Sequence, residues 1–337
     1  MDTCGASKVN IDIAQELSDL ASSDGVDADT QAAADALAEF DRKRTERSDR
    51  YLPDEVLQVD DEWRELYQQR VLEGIAFAAR SHVTICGMAR NIAGILPVTI
   101  SRLKTITDHF SSWGVAIVEN DSTDDTKAVL ASLEEQNPGR VVCHMQDYNW
   151  PHLHGWEPER VQRYAMLRNT YREMARDHWP HSDVVLCVDL DCWGGWSIEG
   201  LLNGLGWLNH KKSAACMAST SLFQHQFFSD GPAWGHYDCW ALRVHGWKHV
   251  LTPWKTFWLP PVGAPPIKVF SAFGAAALYR PEAFFKHAYE SIDGDIEHAG
   301  LHRSMIEDGW KIYLNPAQRS LMHWLTEEHD AGRHHSD

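Results

Sequence analysis

From Val83 onward, short apolar runs alternate with stretches whose apolar residues recur every three or four positions. Val83-Thr84-Ile85-Cys86-Gly87-Met88 predicts a first strand. Leu96, Ile100, Leu103, Ile106 (or Thr107) and Phe110 then fall at helical spacing. A second strand is expected over 114–118, closed by Glu119-Asn120-Asp121. Ser122-Thr123-Asp124-Asp125 then supplies N-cap chemistry for a helix through Glu135. Further strands are expected at 141–145, 184–188 and near 214–218. Helices are expected from Pro158 to about Asp177 and near 197–208. Strands that are apolar throughout, alternating with helices, predict an α/β fold with a mostly parallel central sheet covered by helices on both faces. No internal repeat interrupts the pattern.

Sites in such sheets lie beyond the carboxyl ends of the strands. Three polar segments fall there: Arg90-Asn91 after the first strand, Glu119-Asn120-Asp121 after the second and Asp189-Leu190-Asp191 after the fourth. Two carboxylates one residue apart repel unless a cation lies with them. Asp189 and Asp191 therefore either cap the turn that Gly194 and Gly195 form, or hold Mg2+ or Mn2+, which prefer oxygen ligands and bridge to phosphates. A phosphatase of the haloacid-dehalogenase type also begins with an apolar strand and DxD, but Trp193 stands where it needs Thr or Val.

Before Val83 the pattern weakens. Trp63, Leu66, Tyr67, Val71, Leu72 and Ile75 read as an amphipathic helix that packs on the main body. Ahead of it, residues 1–50 hold a net −6 and only Phe40 as an aromatic, which predicts a disordered or loosely helical extension. The chain carries −17 in all over 337 residues, which argues against nucleic acid or an anionic membrane as the main partner. An anionic substrate must then be held by a few local cations or a metal. No apolar run approaches the ~20 residues of a membrane span. Residues 1–20 have no apolar core of a secretory signal, and the seven cysteines show no CxxC spacing, so a cytoplasmic protein with reduced thiols is expected. His152-Leu153-His154 has no third ligand at zinc spacing.

The segment Val118-Glu119-Asn120-Asp121-Ser122-Thr123-Asp124-Asp125-Thr126, taken with Asp189-Leu190-Asp191 as a DxD motif, resembles nucleotide-sugar glycosyltransferases of the GT-A fold. More closely, the chain resembles the group that includes the capsule-associated mannosyltransferases. The pieces are Met88-Ala89-Arg90-Asn91, Leu167-Arg168-Asn169, Tyr237-Asp238-Cys239-Trp240-Ala241-Leu242-Arg243, Ser271-Ala272-Phe273-Gly274, and Glu297-His298 with Leu301-His302. The resemblance spans about residues 83–324. It implies a Rossmann-like GT-A domain over 81–325, with a nucleotide-binding half (81–192) and an acceptor half (193–325). Around it lie the extension 1–50, a helical segment 51–80 and a flexible tail 326–337.

What the resemblance implies for single residues is specific. Arg90, Asn91, Glu119, Asp121, Arg168 and Asp189 would face a UDP- or GDP-sugar. Asp189, Asp191 and His323 would hold Mn2+ or Mg2+. Asp238, Trp240, Arg243 and Gly274 would line the sugar and acceptor. Glu297-His298 stands where Glu-Asp is commoner: Glu297 is expected as the base that deprotonates the acceptor hydroxyl, with His298 as a positioning group or the base itself. The residues alone leave alternatives. Arg168, beside the apolar stripe Tyr164, Leu167, Tyr171 and Met174, is either an ion-pair member or a phosphate ligand. His323 is either structural or a metal ligand. Of the 15 Trp, Trp193, Trp196, Trp234, Trp240, Trp254 and Trp258 follow the DxD and suit stacking on sugar faces. A sugar-1-phosphate nucleotidyltransferase and a non-catalytic carbohydrate-binding protein are the competing functions; the first should have a Gly-rich loop where Met88-Ala89-Arg90-Asn91 stands.

Overall fold

The computed structural model describes residues 52, 54–151, 153, 157–225, 233–247 and 253–323. The expected extension 1–50, the tail 326–337, and His152 and His154 lie outside the described residues.

A single sheet runs in the order β3-β2-β1-β4-β9-β6-β10-β5, with β7 on β6 and β8 on β10. Its strands are β1 (His82–Ala89), β2 (Ser112–Asn120), β3 (Val141–Gln146), β4 (Val184–Asp189), β5 (Gly195–Trp196), β6 (Ala214–His225), β7 (Ala233–His236), β8 (Ile267–Val269), β9 (Ala276–Tyr279) and β10 (Lys311–His323). β1 to β4 pair in parallel, and β6 and β10 run the same way. The short β9 lies between β4 and β6, antiparallel to both. The expected α/β class with a mostly parallel sheet is the one observed. β9 is too short to leave a periodic signal and was not expected.

Helices cover both faces because alternate residues of the central strands point to opposite sides. On one face Val83, Ile85 and Ala89 of β1 share a core with Leu96, Leu103 and Ile106 of α3 (Leu96–Thr107), with Leu130 of α4 (Thr126–Gln136) and with Leu201, Leu202 and Leu205 of α6 (Ile198–His210). On the other, Cys86 packs with Ala165, Leu167 and Tyr171 of α5 (Pro158–His178) and with Leu301 and Met305 of α9 (Glu297–Glu307). The short α1 (Asp54–Leu57), α7 (Pro253–Phe257) and α8 (Pro281–Phe284) complete the set. The six described cysteines are free thiols, and no helix among the described residues is long and apolar enough to cross a membrane.

The helix α2 (Arg64–Ala78) packs on α6, as the sequence predicts, but on a different stripe. Tyr67, Arg70, Val71, Gly74 and Ala78 are buried, whereas Leu72 is 66% and Ile75 39% exposed. Glycines decide this. A Cβ on Gly74 would lie 1.8 Å from the Leu202 carbonyl oxygen, and one on Gly206 2.0 Å from that of Arg70. The two backbones touch where neither has a side chain, and the Arg70 guanidinium lies over the Trp207 ring, 4.6 Å from its centroid. That contact turns Leu72 and Ile75 outward.

Candidate active site

The parallel register sets the strand ends level: Met88 pairs with Asp189 on one side, and Ala89 with Glu119 on the other. Beyond β4, Leu190 is buried against Gly87, where an added Cβ would come within 2.8 Å of it. Its carbonyl accepts from Thr99 Oγ1 at 2.8 Å. Arg102 Nη1 holds the next turn by donating to the carbonyls of Cys192 (3.1 Å) and Trp193 (2.9 Å). Leu190 is thus anchored inward from α3 in the turn that follows Asp189, and Asp191 lies close enough for its charge to reach Asp189. The Asp189 N–H donates to the Ala275 carbonyl at 2.9 Å, tying the strand end to the turn before β9.

Asp189 sits among charges. Burial, opposed by Arg168 and reinforced by Asp191, Asp238 and Glu297, pushes its carboxyl up to about 7. Arg168, 6% exposed on α5, is 3.7 Å from Asp189 Oδ1, and its Nε donates to Glu297 Oε1 at 3.0 Å. Its Nη1 donates to the Tyr171 hydroxyl (3.2 Å), which in turn donates to Tyr289 (3.1 Å). The guanidinium also lies 5.1 Å from the centre of the Phe273 ring. His298 stacks on the same Phe273, its centroid 4.2 Å away, and neither of its ring nitrogens has a hydrogen-bond partner. Burial, then the charge of Arg168 and the neighbouring His302, hold His298 well below the usual histidine range. It is a neutral ring and a poor proton acceptor. Sequence reasoning did not single out Tyr289, 118 residues from its partner Tyr171; no local pattern marks it.

At the ends of β1 and β2 the polar segments lace together. Asn91, at φ 52°, donates its N–H to Ser122 Oγ (3.0 Å) and accepts the Thr123 N–H on Oδ1 (2.8 Å). Asp124 accepts from the N–H groups of Ala93 (2.9 Å) and Thr126 (3.0 Å), so the expected cap is made by Asp124 and stitches the two loops as well. Glu119 is fully buried: Oε1 accepts the Ser122 N–H at 2.7 Å, and Oε2 accepts no hydrogen bond. Asp121 is half-exposed and bonds within the chain. Its oxygens take the N–H groups of Asn149 (2.7 Å) and Trp150 (3.4 Å) and the Asn120 amide (3.0 Å). Those bonds and the charge of Arg90 outweigh burial and lower its carboxyl. Arg90 donates to the Trp150 carbonyl at 3.0 Å. Asp121 and Arg90 thus shape the 147–150 loop beside Glu119.

The acceptor half supplies Asp238. Its oxygens accept the N–H groups of Gly274 (2.9 Å) and Ala241 (3.1 Å), and burial, offset in part by these bonds and by Arg168 and Arg243, raises its carboxyl. Gly274 has φ 69°, and a Cβ there would meet the Ser219 carbonyl at 2.0 Å. Arg243, expected beside the acceptor, is fully buried instead. It makes a two-pronged pair with Asp295 and donates to the carbonyls of Trp240 and Leu242. It braces the Asp238 loop from behind. Trp196, expected on a sugar, is core: 1% exposed, with Nε1 on the Ala275 carbonyl. Trp193, Trp234, Trp240 and Trp258 are half-buried. The side chains of Trp254 and His323 lie outside the described residues. The backbone of His323 ends β10, two residues past Leu321, whose carbonyl accepts the Gly194 N–H at 2.8 Å.

Among the described residues, no three His, Cys, Asp or Glu side chains converge into a ready metal cage. The donor set still fits a hard divalent ion. Asp189 and Asp191 are close enough for their charges to interact, and burial, with Asp191, Asp238 and Glu297 adding to it against Arg168, raises the Asp189 carboxyl. Two carboxylates with positions left for phosphate oxygens suit Mg2+ or Mn2+.

No family model and no curated protein matches the chain. Among solved structures it is similar to the mannosyltransferase PcManGT from Pyrobaculum calidifontis in complex with GDP-Man and Mn2+. That likeness has 14% identity and a TM-score of 0.42, over 76% of this chain and 63% of that one. It is also similar to GalNAc-T7 with UDP, GalNAc and Mn2+ (14% identity, TM-score 0.45, 73% of this chain and 44% of that one). A third is S. aureus TarS 1-349 (10% identity, TM-score 0.42, 71% and 59%). The chain thus spans between 44% and 63% of the lengths of these proteins. These likenesses assign no residue a role, and the reading of the site rests on its own side chains.

Proposed function

We propose that the chain is a metal-dependent GT-A glycosyltransferase that moves a sugar from a nucleoside-diphosphate donor to a hydroxyl of a glycan or related acceptor. The observation that carries this reading is the meeting of Asp189, Asp191, Asp238 and Glu297 around Arg168, level with the buried Glu119 at the end of β2. Asp189 and Asp191 would hold Mn2+ or Mg2+, the DxD role, and the bound ion supplies positive charge against the departing diphosphate. Glu119 Oε2, buried without a hydrogen-bond partner, suits an N–H or hydroxyl of the nucleoside. Arg168 sits where it can steady the diphosphate, oriented by Glu297 and Tyr171.

The acceptor hydroxyl oxygen bonds to the anomeric carbon while the bond from that carbon to the diphosphate breaks, its electron pair leaving with the diphosphate. The proton must go to a carboxylate on the acceptor side. Glu297, expected from the sequence, is committed to Arg168 and 4% exposed. We therefore assign proton acceptance to Asp238, which is more open and whose carboxyl burial raises. Glu297 becomes a positioning residue acting through Arg168. GDP-Man with Mn2+ in PcManGT and UDP with Mn2+ in GalNAc-T7 belong to the ligand class assigned here.

The test is a panel of nucleotide sugars incubated with the protein and Mn2+, reading release of nucleoside diphosphate. One donor should be hydrolysed, only with metal, and not by Asp191→Ala. Nucleotide-sugar synthesis from a sugar phosphate, or glycan binding with no response to any nucleotide plus metal, would overturn the reading.

A further inference from the structure

Positive charge is also buried on α7 and β10, beside a histidine of β7, in a group the chemistry above does not use. Arg319 on β10 is 4% exposed; Nη2 donates to the Pro260 carbonyl at 2.5 Å, while Nε and Nη1 are buried with no hydrogen-bond partner. His236, at the end of β7, is 2% exposed and its Nδ1 is likewise without one. Lys255 on α7 is 5% exposed and donates to the Leu242 carbonyl at 3.1 Å. In the sheet Arg319 pairs with Thr220 and His236 with Leu222 of that same strand β6, and α7, which carries Lys255, packs on β7. Burial, with the charges of Arg319 and Lys255 behind it, pushes His236 down to about 3. Burial alone pulls Arg319 down to about 10. Among the described residues, the carboxylate whose charge reaches Lys255 is Asp295, which is already paired with Arg243.

Buried guanidinium N–H groups are ordinarily bonded, and a buried cation is ordinarily paired. In a chain of −17, carboxylates are in surplus, yet none among the described residues is paired with Arg319. The fork of a guanidinium matches the oxygens of a phosphate or carboxylate, and an ammonium adds a point charge to the same ligand. The surroundings suit a sugar that carries such a group. Trp193, Trp234 and Leu259 pack with Leu321, two residues along β10 from Arg319, and Asp238 follows His236 by two residues.

We propose that Arg319, Lys255 and His236 form a subsite for an oxyanion carried by the acceptor, a phosphate or a uronic acid carboxylate. That the anion belongs to an acceptor rests on the transferase reading; the subsite itself does not.

The experiment uses the full chain freed of metal with EDTA and without nucleotide, so it answers independently of donor binding. Inorganic phosphate and glucuronic acid are titrated by calorimetry and by thermal melting, against wild type, Arg319→Met, Lys255→Met and Asp191→Ala. Wild type and Asp191→Ala should bind one of the two anions and melt higher in its presence. Arg319→Met and Lys255→Met should bind it about tenfold more weakly or worse. Phosphate alone identifies a phosphorylated acceptor; glucuronate alone identifies a uronic acid. Without anion, Arg319→Met should melt no lower than wild type, because it removes an unpaired buried charge. If Arg319→Met does not fold, Lys255→Met and His236→Gln carry the comparison. Equal affinity in wild type and the variants, or no binding of either anion, overturns the proposal.

Discussion

Arg168 Nε donates to Glu297 Oε1 at 3.0 Å, joining residues 129 positions apart, with both side chains under 10% exposed. A buried pair of this kind is strongly destabilising to break from one side, because the remaining charge stays buried without its partner. Glu297→Gln should lower stability by about 3 kcal/mol or more in urea melts. Arg168→Met combined with Glu297→Leu should cost less than the two single changes summed. A double-mutant cycle with no coupling would show that the pair is incidental.

Asp238 and Glu297 separate by their kinetics. If Asp238 takes the acceptor proton, Asp238→Asn should reduce kcat by about 10²–10⁴-fold. Nucleotide binding should stay near that of wild type, while the melting temperature should fall modestly, because the amide NH2 replaces an oxygen that accepts from Ala241 or Gly274. Glu297→Gln should lower kcat and stability together. A stable, inactive Glu297→Gln beside an active Asp238→Asn would return the base to Glu297.

Two glycines with positive φ predict opposite outcomes. Gly274 (φ 69°) lies so close to Ser219 that a Cβ would meet its carbonyl at 2.0 Å, whereas Gly309 (φ 93°) has nothing within 4 Å. Gly309→Ala should cost only the left-handed backbone term, about 1–2 kcal/mol. Gly274→Ala should cost clearly more, and should also loosen Asp238, whose Oδ2 accepts the Gly274 N–H. Paired thermal melts of the two variants decide it.

The two buried histidines His302 and His236 should weaken the fold as the solution is acidified. His302 is buried between Ser271 Oγ (2.9 Å) and the Tyr279 hydroxyl (3.0 Å), and burial pushes it down to about 3. In the unfolded chain it protonates near ~6.5. Between those values the unfolded state binds the extra proton. Its contribution is therefore full above about 6.5 and is lost as pH falls towards 3. His236 follows the same course. Melting temperature should decline from pH ~6.5 downward, and His302→Gln should flatten part of that slope.

Much of the architecture was legible in local pattern. The apolar runs of β1, β2 and β4 each end in polar residues, and those ends are level in the sheet at Ala89, Glu119 and Asp189. The start of α4 was announced by its acidic and hydroxyl residues, with Asp124 doing the capping. Asp189-Leu190-Asp191 falls at the end of β4 as expected, with Leu190 buried. Periodicity reports which side of an element is buried, and strand ends in such sheets carry the ligand.

Tertiary structure alone decided which polar groups remain available. Asp121 and Arg243 carry the right chemistry for a ligand, but Asp121 is used by Asn149 and Trp150, and Arg243 by Asp295. Glu297 carries the carboxylate expected of a base, and only the fold brings Arg168 to it. The outward turn of Leu72 and Ile75 follows from the close approach of Gly74 and Gly206, which belong to different helices. Arg319 stands between Gln318 and Ser320 on β10, with nothing nearby in sequence to mark its unpaired N–H groups. The physical reason is common to all of these. Burial periodicity is a local property of the chain, whereas the partner of a polar group is chosen among residues brought together only when the fold closes.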